Sequence, residues 1–579
     1  METLTASIKK TEPNKSDKEI LSGADAIIRI LQEEAVDTIF GYPGGAIMPV
    51  YDSLYDHNES IRHILARHEQ GAIHAAQGYA RASGKVGVCL ATSGPGATNL
   101  ITGIADAQID STPLVCITGQ VASGFLGSDA FQETDMIGIS MPVTKWNFQV
   151  TKAEEIPTAL AKAFYVAQTG RPGPVLIDIT KDAQFDVFEF EYEKCTKLRS
   201  YFPVPDYEIS KIEEAADLIN TAERPFVLFG QGVILANAEK EFKQFIEKTG
   251  IPSAWTIMGL SALDTDHPLN VGMLGMHGNY GPNLLTNECD VLIAIGMRFD
   301  DRVTGSLDNY ATQAKVIHLE IDPAEIDKNV PTDVAVLGDA KETLPELTKR
   351  VKSNSHPDWL QRFRDCDKKE FEKVIENELY PSTDILSMGE VIRLISEKTN
   401  GEAIIVTDVG QHQMIACRYS RFTKSKGSIT SGGLGTMGFG LPAALGAKIG
   451  APDREVIAVL GDGGFQMTIQ ELATIYQTKT KVKILLLNNE FLGMVRQWQQ
   501  LFFEKRYSFT KMDNPDFQVV AEGFRIKTNR VIKREKLDVA LDEFLTADSS
   551  FFLEIMVGKE NNVFPMVPSG KCVSDIRLE

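Results

Sequence analysis

A repeating pattern of a short apolar strand, a glycine turn and a helix constrains the fold of this chain most. It occurs in KVGVCLATSGPGATNLITGIADA, in PFVLFGQGVILANAEKEFKQFIEKTG and in EVIAVLGDGGFQMTIQELATIYQ. Apolar runs of about five to eight residues that alternate with helices are typical of parallel sheets covered by helices on both faces. The pattern therefore predicts an α/β protein with several doubly wound parallel sheets.

Two polar stretches that contain proline divide the 579 residues into blocks of domain size. We predict linkers at 188–205 and 346–383, and domains at 21–187, 206–345 and 384–568. Residues 1–20 are predicted to be a flexible tail without the apolar core of a signal peptide, and 569–579 a C-terminal tail. The sequence thus predicts three α/β domains in one chain.

The composition excludes some classes of partner. The formal charge of −20 argues against nucleic acid or an anionic membrane surface as the main partner. The sequence contains no run of about 18 apolar residues, so no membrane span is predicted. The seven cysteines lie far apart, with no CxxC pair, as expected of free thiols in a reducing compartment such as the cytoplasm. Any anionic ligand must therefore meet local positive charge or a bound metal ion.

One carboxylate stands among three glycines in VIAVLGDGGFQMT, where Asp462 follows a buried-looking strand. A tight turn would explain Asp-Gly at this point equally well. The GDG triplet 461–463 is followed by 24 residues, and the next predicted strand, 482–487, then ends at Asn488 and Asn489. Parallel strands end at the same edge of a sheet, so Asp462 and Asn489 are expected to meet there and offer oxygen ligands to Mg²⁺.

This spacing resembles the motif that binds thiamine diphosphate and its metal. The cofactor needs a carboxylic acid that protonates its aminopyrimidine, in an apolar setting suited to that task. The segment ILARHEQGAIHAAQGYARASG offers Glu69 at the start of a small-residue helix, after a strand predicted to end at Arg67. Compensation of the helix dipole is the alternative role of a glutamate at this position.

An ordered series of motifs makes the resemblance specific. It includes GYPGGAIMPVYD, HEQGA, TSGPGATN, KWN, GRPGPVLIDITKD, MLGMHG, RFDDRVTG, VGQHQM, TSGGLGTMGFGLPAA, GDGGF, LNNEFLGMVRQWQ and NPDF. Together these motifs resemble the catalytic large subunit of the acetohydroxyacid (acetolactate) synthase family over about residues 22–568. The resemblance implies a pyrimidine-binding domain, a central FAD-binding domain and a diphosphate- and Mg²⁺-binding domain, in that order.

The resemblance also implies residues that contact thiamine diphosphate and its metal. In the first block they are Tyr42, Pro43, Gly45, Glu69, Thr92, Pro95 and Asn99. In the last block they are Val409, Gly410, Gln411, His412, Gly435, Met437, Gly463, Gly464 and Met494. Asp462, Asn489 and the backbone carbonyl of Phe491 would hold Mg²⁺. A helix-start histidine satisfied by the backbone is an equal alternative for His412.

A second implied group would bind FAD, which the family uses structurally because carboligation needs no redox step. It comprises Arg171, Gly230, Gly232, Thr256, Gly275, Met276, His277, Gly296, Arg298, Asp300, Arg302, Glu320, Ile321, Asp339, Gln413 and Met414. Each glycine turn alone is a weak dinucleotide signal. For Arg298 and Arg302 the alternative is surface ion pairing with Asp300 and Asp301.

The implied activity is the decarboxylation of pyruvate and the ligation of its two-carbon unit to a second 2-keto acid. Pyruvate as acceptor would yield 2-acetolactate and 2-ketobutyrate would yield 2-aceto-2-hydroxybutyrate, the first common step of valine, leucine and isoleucine biosynthesis. The residues predicted to act in catalysis are Glu69, Gln132, Lys181, Arg302 and Trp498. The resemblance further implies a homodimer or homotetramer and a small regulatory subunit.

Four other interpretations differ from this one at specific features. A pyruvate oxidase would share both cofactors but reduce its flavin with pyruvate, and a glyoxylate carboligase is expected to lack the glutamate found at Glu69. RFDDRVTG and MVRQWQ disfavour the flavin-free catabolic acetolactate synthases. A cofactor-binding scaffold without activity is disfavoured by Glu69, Asp462 and Asn489.

Acceptor choice is predicted to depend on Trp498, which follows the metal-binding edge by nine residues. Its indole would pack against the extra methyl of 2-ketobutyrate, while Arg302 pairs with the acceptor carboxylate. The alternative is a core aromatic at helical spacing from Val495 and Leu501.

Overall fold

The computed structural model describes residues 19–579. Within that range the chain forms three six-stranded sheets, each wholly parallel, and one two-stranded antiparallel ribbon. The predicted α/β class with three doubly wound sheets is confirmed. Residues 1–18 of the predicted flexible tail lie outside the described residues, whereas Ile20 already belongs to a strand.

The first sheet has the order β3-β2-β4-β5-β7-β6, and β1 pairs with β8 beside it. The strands are β1 Ile20–Ser22, β2 Thr38–Gly41, β3 Arg62–Leu65, β4 Gly87–Ala91, β5 Leu114–Gln120, β6 Trp146–Val150, β7 Pro174–Thr180 and β8 Val187–Glu189. The α-helices are Gly23–Glu33, Met48–Asp56, Glu69–Ser83, Pro95–Thr98, Ile101–Ile109, Met136–Ser140, Ile156–Gln168 and Lys181–Phe185. The strand before Glu69 thus ends at Leu65, two residues earlier than predicted.

The middle sheet has the order β11-β10-β9-β12-β13-β14. The strands are β9 Pro225–Phe229, β10 Ser253–Trp255, β11 Asn270–Met273, β12 Val291–Ile295, β13 Lys315–Glu320 and β14 Val334–Leu337. The α-helices are Ile209–Thr221, Gln231–Leu235, Glu239–Thr249, Tyr280–Thr286, Asp301–Thr304 and Ala340–Arg350. The strand order reverses between β9 and β12, which is where doubly wound sheets bind ligands.

The last sheet has the order β16-β15-β17-β18-β20-β19. The strands are β15 Ile404–Thr407, β16 Ser428–Ile429, β17 Val456–Gly461, β18 Lys483–Asn488, β19 Lys527–Val531 and β20 Phe551–Met556. The α-helices are Met388–Lys398, Gln411–Tyr419, Gly440–Gly450, Asp462–Met467, Glu471–Thr478, Gly493–Phe502, Phe517–Gly523 and Leu537–Thr546. β18 therefore includes Asn488, one residue beyond the predicted end.

The helix Glu69–Ser83 of the first block packs directly on the helix Gly440–Gly450 of the last. At their crossing, a Cβ on Gly78 would lie 1.9 Å from the Ala443 carbonyl oxygen, and one on Gly446 would lie 1.7 Å from that of Ala75. Only glycine at these two positions allows the backbones to approach so closely. The contact joins the first and last blocks through one apolar core.

Several predicted boundaries differ from the elements observed, and β8 (Val187–Glu189) crosses the one predicted at 187. The helix Ala340–Arg350 crosses the predicted boundary at 345, and 346–383 also holds the helix Pro357–Glu370, a π-helical turn Phe371–Ile375 and the helix Glu376–Leu379. Residues 569–579 return to the middle block, where Cys572 pairs with Gly305 and Val573 is buried. The C-terminal segment is therefore packed structure rather than a free tail.

Candidate active site

Asp462 and Asn489 meet at one sheet edge because β17 and β18 are neighbouring parallel strands in register. The predicted pairing of these strands is confirmed. Both residues line a small recess, which we call the metal recess, together with Phe491. Its other lining residues include Val409, Gly410, Gln411, His412, Met437, Gly463, Gly464 and Met494. The predicted metal ligands and most predicted diphosphate contacts thus share one space.

The Asp462 carboxylate is buried and has no cationic partner among residues 19–579. Desolvation raises its pKa to about 6, an effect that the hydrogen bond from Asn514 opposes. Asn514 Nδ2 lies 2.7 Å from Asp462 Oδ2 and 3.3 Å from Asn488 Oδ1. A divalent cation at this point would compensate the buried charge.

Asn514 was not predicted as a site residue, although NPDF is one of the family-like motifs. It lies in the loop before the helix Phe517–Gly523, 52 residues after Asp462. Gln466 Nε2 donates to its Oδ1 at 3.0 Å, which fixes the amide with its nitrogen toward the carboxylate. Asn514 therefore orients Asp462, as outer partners of metal ligands commonly do.

His412 lines the metal recess, and its Nε2 is buried and unpartnered. Burial lowers the pKa of His412 to about 3, so the ring is neutral at physiological pH. A Cβ on Gly461 would lie 2.7 Å from His412 Cε1, so glycine at this position makes room for the ring. The unpartnered nitrogen favours a ligand contact over a histidine satisfied wholly by the backbone.

A cavity of about 820 Å³ lies between the three blocks, and we call it the large cavity. Its lining includes Arg171, Gly232, Thr256, Gly275, Met276, His277, Gly296, Arg298, Asp300, Arg302, Glu320, Ile321, Asp339, Gln413 and Met414. These are the predicted FAD residues except Gly230, whose amide instead donates to the Ile295 carbonyl at 3.0 Å. Gly230 and Gly232 both pack closely against Gly296, which lets the turns after β9 and β12 converge.

Two polar side chains of the large cavity, His277 and Arg171, differ in how their hydrogen-bonding groups are paired. His277 Nδ1 is buried without a partner, and burial followed by repulsion from Arg418 lowers the pKa of His277 to about 4. Arg171 Nη1 lies 2.8 Å from Glu325 and 3.2 Å from Asp322. The unpaired ring nitrogen is a group that a polar ligand would complete, whereas two carboxylates already hold the guanidinium at the cavity wall.

The surface ion pairs considered for the two arginines are present. Arg298 lies 4.0 Å from Asp300, and Arg302 lies 3.7 Å from Asp301. Arg302 is nevertheless more than half exposed and lines the large cavity, with its Nη1 3.4 Å from the Met276 sulfur. A loose pair of this kind contributes little to stability, so Arg302 remains available to an anion.

A buried ion pair that the sequence did not predict holds the loop that carries Gly275, Met276 and His277. Arg418 and Glu370 are both fully buried and directly paired. Arg418 Nη1 also donates to the carbonyls of His277 and Gly278, at 3.1 and 2.8 Å, and Glu370 accepts from the Tyr280 amide. Glu370 ends a helix in the stretch predicted as a linker, so that stretch shapes the large cavity.

Glu69 begins its helix as predicted and its carboxyl is buried. Asn99 Nδ2 donates to Glu69 Oε2 at 2.9 Å, so these two predicted residues are in contact. Thr92 Oγ1 accepts from the Ala46 amide at 3.1 Å and thereby ties in the loop that holds Tyr42, Pro43 and Gly45. The predicted first-block residues thus form one patch around Glu69.

This Glu69 patch lines neither the metal recess nor the large cavity. Pro95 and Gln132 are exposed, Tyr42 is 41% exposed, and Gln132 has a left-handed backbone with φ of 60°. Lys181 begins the helix that follows β7 and also lies outside both cavities. Within one chain, the predicted activating glutamate and the predicted diphosphate site therefore lie apart.

Trp498 lies in the helix Gly493–Phe502 and lines the large cavity with Met494, Val495 and Arg302. Its ring packs on Phe502, with centroids 5.1 Å apart. Val495 is 48% and Leu501 38% exposed, so the helix face proposed as a core alternative is not buried. Trp498 belongs to the cavity wall.

Three family models match successive parts of the chain. The N-terminal TPP binding domain of thiamine pyrophosphate enzymes matches residues 21–139, the central domain matches 212–347, and the C-terminal TPP binding domain matches 408–555. Thiamine pyrophosphate is another name for thiamine diphosphate. The fold and its recess thus define a thiamine-diphosphate-dependent enzyme.

Proteins of similar sequence show which family of thiamine-diphosphate-dependent enzymes this chain belongs to. An acetolactate synthase large subunit of Corynebacterium glutamicum is 48% identical, covering 96% of this chain and 90% of that protein. The acetolactate synthase isozyme 2 large subunit of Escherichia coli K12 is 44% identical over 96% of this chain and 99% of its own length. A probable acetolactate synthase large subunit of Methanocaldococcus jannaschii is 45% identical, with 96% of each chain covered. This chain belongs to the acetolactate synthase large-subunit family.

The residues present fit the cofactors in different ways. A carboxylate, an amide oxygen and a backbone carbonyl form an oxygen set suited to Mg²⁺, and His412, whose Nε2 has no partner, lines the same recess. In the large cavity the unpartnered His277 nitrogen and Arg171 suit a polar dinucleotide.

Every helix within residues 19–579 is too short or too polar to span a membrane.

Proposed function

We propose that this chain decarboxylates pyruvate and joins the remaining two-carbon unit to a second 2-keto acid. The bond between C1 and C2 of pyruvate breaks, CO₂ leaves, and a new carbon–carbon bond forms to the acceptor carbonyl carbon, whose oxygen takes up one proton to become the hydroxyl. No oxidant is consumed. The observation that carries this proposal is that the metal recess and the large cavity share Val409, Gly410, Met437, Met494 and Val495. An acceptor beside Trp498 would thus lie next to the cofactor.

Thiamine diphosphate, when bound, supplies the electron sink for loss of CO₂. The chain supplies the groups that hold and activate it. Glu69 would carry a proton on its carboxyl for the aminopyrimidine ring nitrogen, and the Gly435 carbonyl would accept from the amino group. Gly435 has a left-handed backbone, with φ of 69°, that turns this carbonyl at the bend before Met437. Acid–base chemistry by a placed carboxyl contributes about 10²- to 10⁴-fold to rate.

Asp462, Asn489 and the Phe491 carbonyl would hold Mg²⁺, which would neutralise the diphosphate. This metal supplies the positive charge that a chain of net charge −20 lacks at the site. FAD would occupy the large cavity along the loops that Arg418 and Arg171 hold. Its proposed role is structural, since the reaction transfers no electrons.

Product analysis tests the proposed function. The protein is incubated with pyruvate, Mg²⁺, thiamine diphosphate and FAD, with and without 2-ketobutyrate. We expect 2-acetolactate in the first case and added 2-aceto-2-hydroxybutyrate in the second, with one CO₂ released per product. CO₂ release with acetate as product and reduction of the flavin would contradict the proposal and indicate an oxidase.

Acceptor preference is expected to fall when Trp498 becomes leucine. One methyl group in an apolar pocket is worth about 1–3 kcal/mol, or about 10- to 200-fold in preference. Trp498→Leu should therefore lose most of the preference for 2-ketobutyrate over pyruvate while it still forms 2-acetolactate. The measurement is the product ratio with both acceptors competing.

Phe503→Leu is the matched control, because Phe503 is an exposed aromatic just beyond the same helix and lines neither cavity. Its product ratio should equal that of the unmodified protein. An unchanged ratio in an active Trp498→Leu protein would show that the indole does not contact the acceptor.

We further propose that the complete site forms between two copies of the chain. Support comes from the position of the Glu69 patch at the surface of the first block, outside both cavities, beside Tyr42 and an 88% exposed Phe131. In a two-fold dimer each such patch would face the metal recess of the other copy. The proposed assembly is a homodimer or a dimer of dimers.

Mixing two inactive variants tests this assembly. Glu69→Gln and Asp462→Ala should each be inactive alone. After random exchange of subunits, half of all dimers are mixed. In each mixed dimer, one of the two sites combines an intact Glu69 with an intact Asp462. About a quarter of full activity is then expected, by the symmetry of a two-fold dimer. Inactivity after exchange has been demonstrated by mass spectrometry would place each whole site within one chain.

We also propose that this chain works with a small regulatory subunit in the cytoplasm. The similar proteins named large subunits support the partner. All seven cysteines are unpaired, in agreement with a reducing compartment. Co-purification of the tagged chain from its own cells would identify the partner by mass.

A further inference from the structure

The loop 430–437 carries Gly435 and Met437, the two residues proposed to support the aminopyrimidine. It lines the large cavity through Ser431, Gly432 and Gly433 as well. We call it the cradle loop. Its shape is set by contacts that reach it from the first block, more than 320 residues earlier in the chain.

Asp110 holds the first part of the cradle loop. Its Oδ2 accepts from the Gly432 amide at 2.9 Å and its Oδ1 from the Gly433 amide at 2.7 Å. A Cβ on Gly433 would lie 2.7 Å from Ile109 and 2.9 Å from Asp110 Oδ1, so glycine is needed for this approach. The Asp110 carboxylate therefore binds two consecutive backbone N–H groups of the loop.

Arg81 and Asp106 complete the attachment. Arg81 Nη2 donates to Asp110 Oδ2 at 2.8 Å, and its Nη1 donates to the Thr430 carbonyl. Asp106 accepts from the Ser431 hydroxyl and, at 3.0 Å, from the Thr436 hydroxyl, while the Thr436 amide donates to Ser431 Oγ at 2.8 Å. Both ends of the loop are thus tied to Asp106 and to each other.

We propose that Asp106, Asp110 and Arg81 are positioning residues that hold the cradle loop in the shape required to activate thiamine diphosphate. The proposal rests on the proposed function of Gly435 and Met437. Both carboxylates and the guanidinium are at least nine-tenths buried, and their hydrogen-bond partners in the last block all lie in this loop. None of the three residues lines the metal recess, so they would act on thiamine diphosphate through the loop. Asp110 also lines the large cavity.

Asp110→Asn is the informative change, because it keeps the size of the side chain. Asp110 accepts only N–H donors, so an asparagine amide would point its own N–H₂ at one of them and leave a buried donor unpaired. We expect the dissociation constant for thiamine diphosphate, measured with saturating Mg²⁺, to rise about 10- to 100-fold, the range for residues that orient a binding group. Hydrogen–deuterium exchange at C2 of the bound cofactor, at saturation, should slow by at least about tenfold although Glu69 is intact.

A second variant and a matched control separate positioning from folding. Thr436→Val removes one hydroxyl donor to Asp106 and should shift both readouts in the same direction by less. Asp178→Asn alters an equally buried carboxylate whose partners Thr118, Gln120 and Gln149 all lie in the first block. It should lower the melting temperature yet leave cofactor affinity and C2 exchange unchanged.

The positioning role of Asp110 would be overturned if Asp110→Asn had the same cofactor affinity and the same rate of C2 exchange as Asp178→Asn. Asp462→Ala is measured in parallel to test the proposed cofactor site itself. If Asp462→Ala loses binding while Asp110→Asn binds and exchanges normally, only the positioning role of Asp106, Asp110 and Arg81 would be rejected. Normal binding in both variants would reject the proposed cofactor site and, with it, the positioning role of the three residues.

Discussion

Asp462→Ala is expected to abolish activity by removing the anchor of the metal and the diphosphate. The affinity for thiamine diphosphate in the presence of Mg²⁺ should fall by at least about 100-fold, beyond the usual effect of altering a group that only orients a metal ligand. Titration calorimetry with Mg²⁺ and thiamine diphosphate measures this change. The effect follows from geometry, since Asp462 is the carboxylate of the metal recess.

The variant should nevertheless fold. Burial raises the pKa of Asp462 to about 6 in the metal-free protein, so at neutral pH its charged form destabilises the folded state. Removing the carboxylate should leave the melting temperature of the metal-free protein unchanged or higher. Asp453→Ala, at an exposed turn before β17, is the control and should bind the cofactor normally. Unchanged affinity in Asp462→Ala would refute the proposed metal recess.

Glu69→Gln is expected to lower activity by about 10²- to 10⁴-fold, the range for loss of a general acid. Cofactor binding should persist, because the glutamine oxygen can still accept from Asn99, which lies 2.9 Å from the carboxylate. The amide cannot deliver a proton, so hydrogen–deuterium exchange at C2 of the bound cofactor should slow by a similar factor. Proton NMR of acid-quenched samples measures this rate.

Glu59→Gln is the matched control, because Glu59 lies exposed in the turn before β3, away from both cavities. It should leave activity and exchange unchanged. Exchange at the unmodified rate in Glu69→Gln would show that another group activates the cofactor, and Glu69 would then serve its helix N-terminus only.

The contrast between these two variants also separates the two halves of the site. Asp462→Ala removes binding, whereas Glu69→Gln keeps binding and slows proton transfer. This difference is what permits the mixing experiment, since each variant retains the half that the other lacks. The spatial separation of Glu69 from the metal recess within one chain provides the structural reason.

The acceptor side of the site is formed by different elements. Trp498 lies on the helix that leaves the metal edge, whereas Arg302 lies in the short helix Asp301–Thr304 of the middle block. The two reach one cavity because the middle and last blocks share a continuous apolar core. Specificity therefore depends on how the blocks pack, while the proton chemistry depends on Glu69.

Local sequence patterns determined much of this protein. Strand, glycine turn and helix recur with the periods of a parallel α/β sheet, so the fold class follows from residue spacing. The same logic predicted that Asp462 and Asn489 meet, because parallel strands end at a common edge. Glu69 at its helix start was likewise predictable from a short segment. Such features depend on neighbours within about one helix or strand.

Contacts between distant segments were decided only by the tertiary structure. Asn514 reaches Asp462 across 52 residues, Glu370 pairs with Arg418 across 48, and Asp110 holds Gly433 across 323. No local period encodes these pairs, since each depends on how separate helices and loops pack. The placement of Glu69 outside both cavities has the same cause: its helix is held against Gly440–Gly450 by a backbone contact that only Gly78 and Gly446 permit.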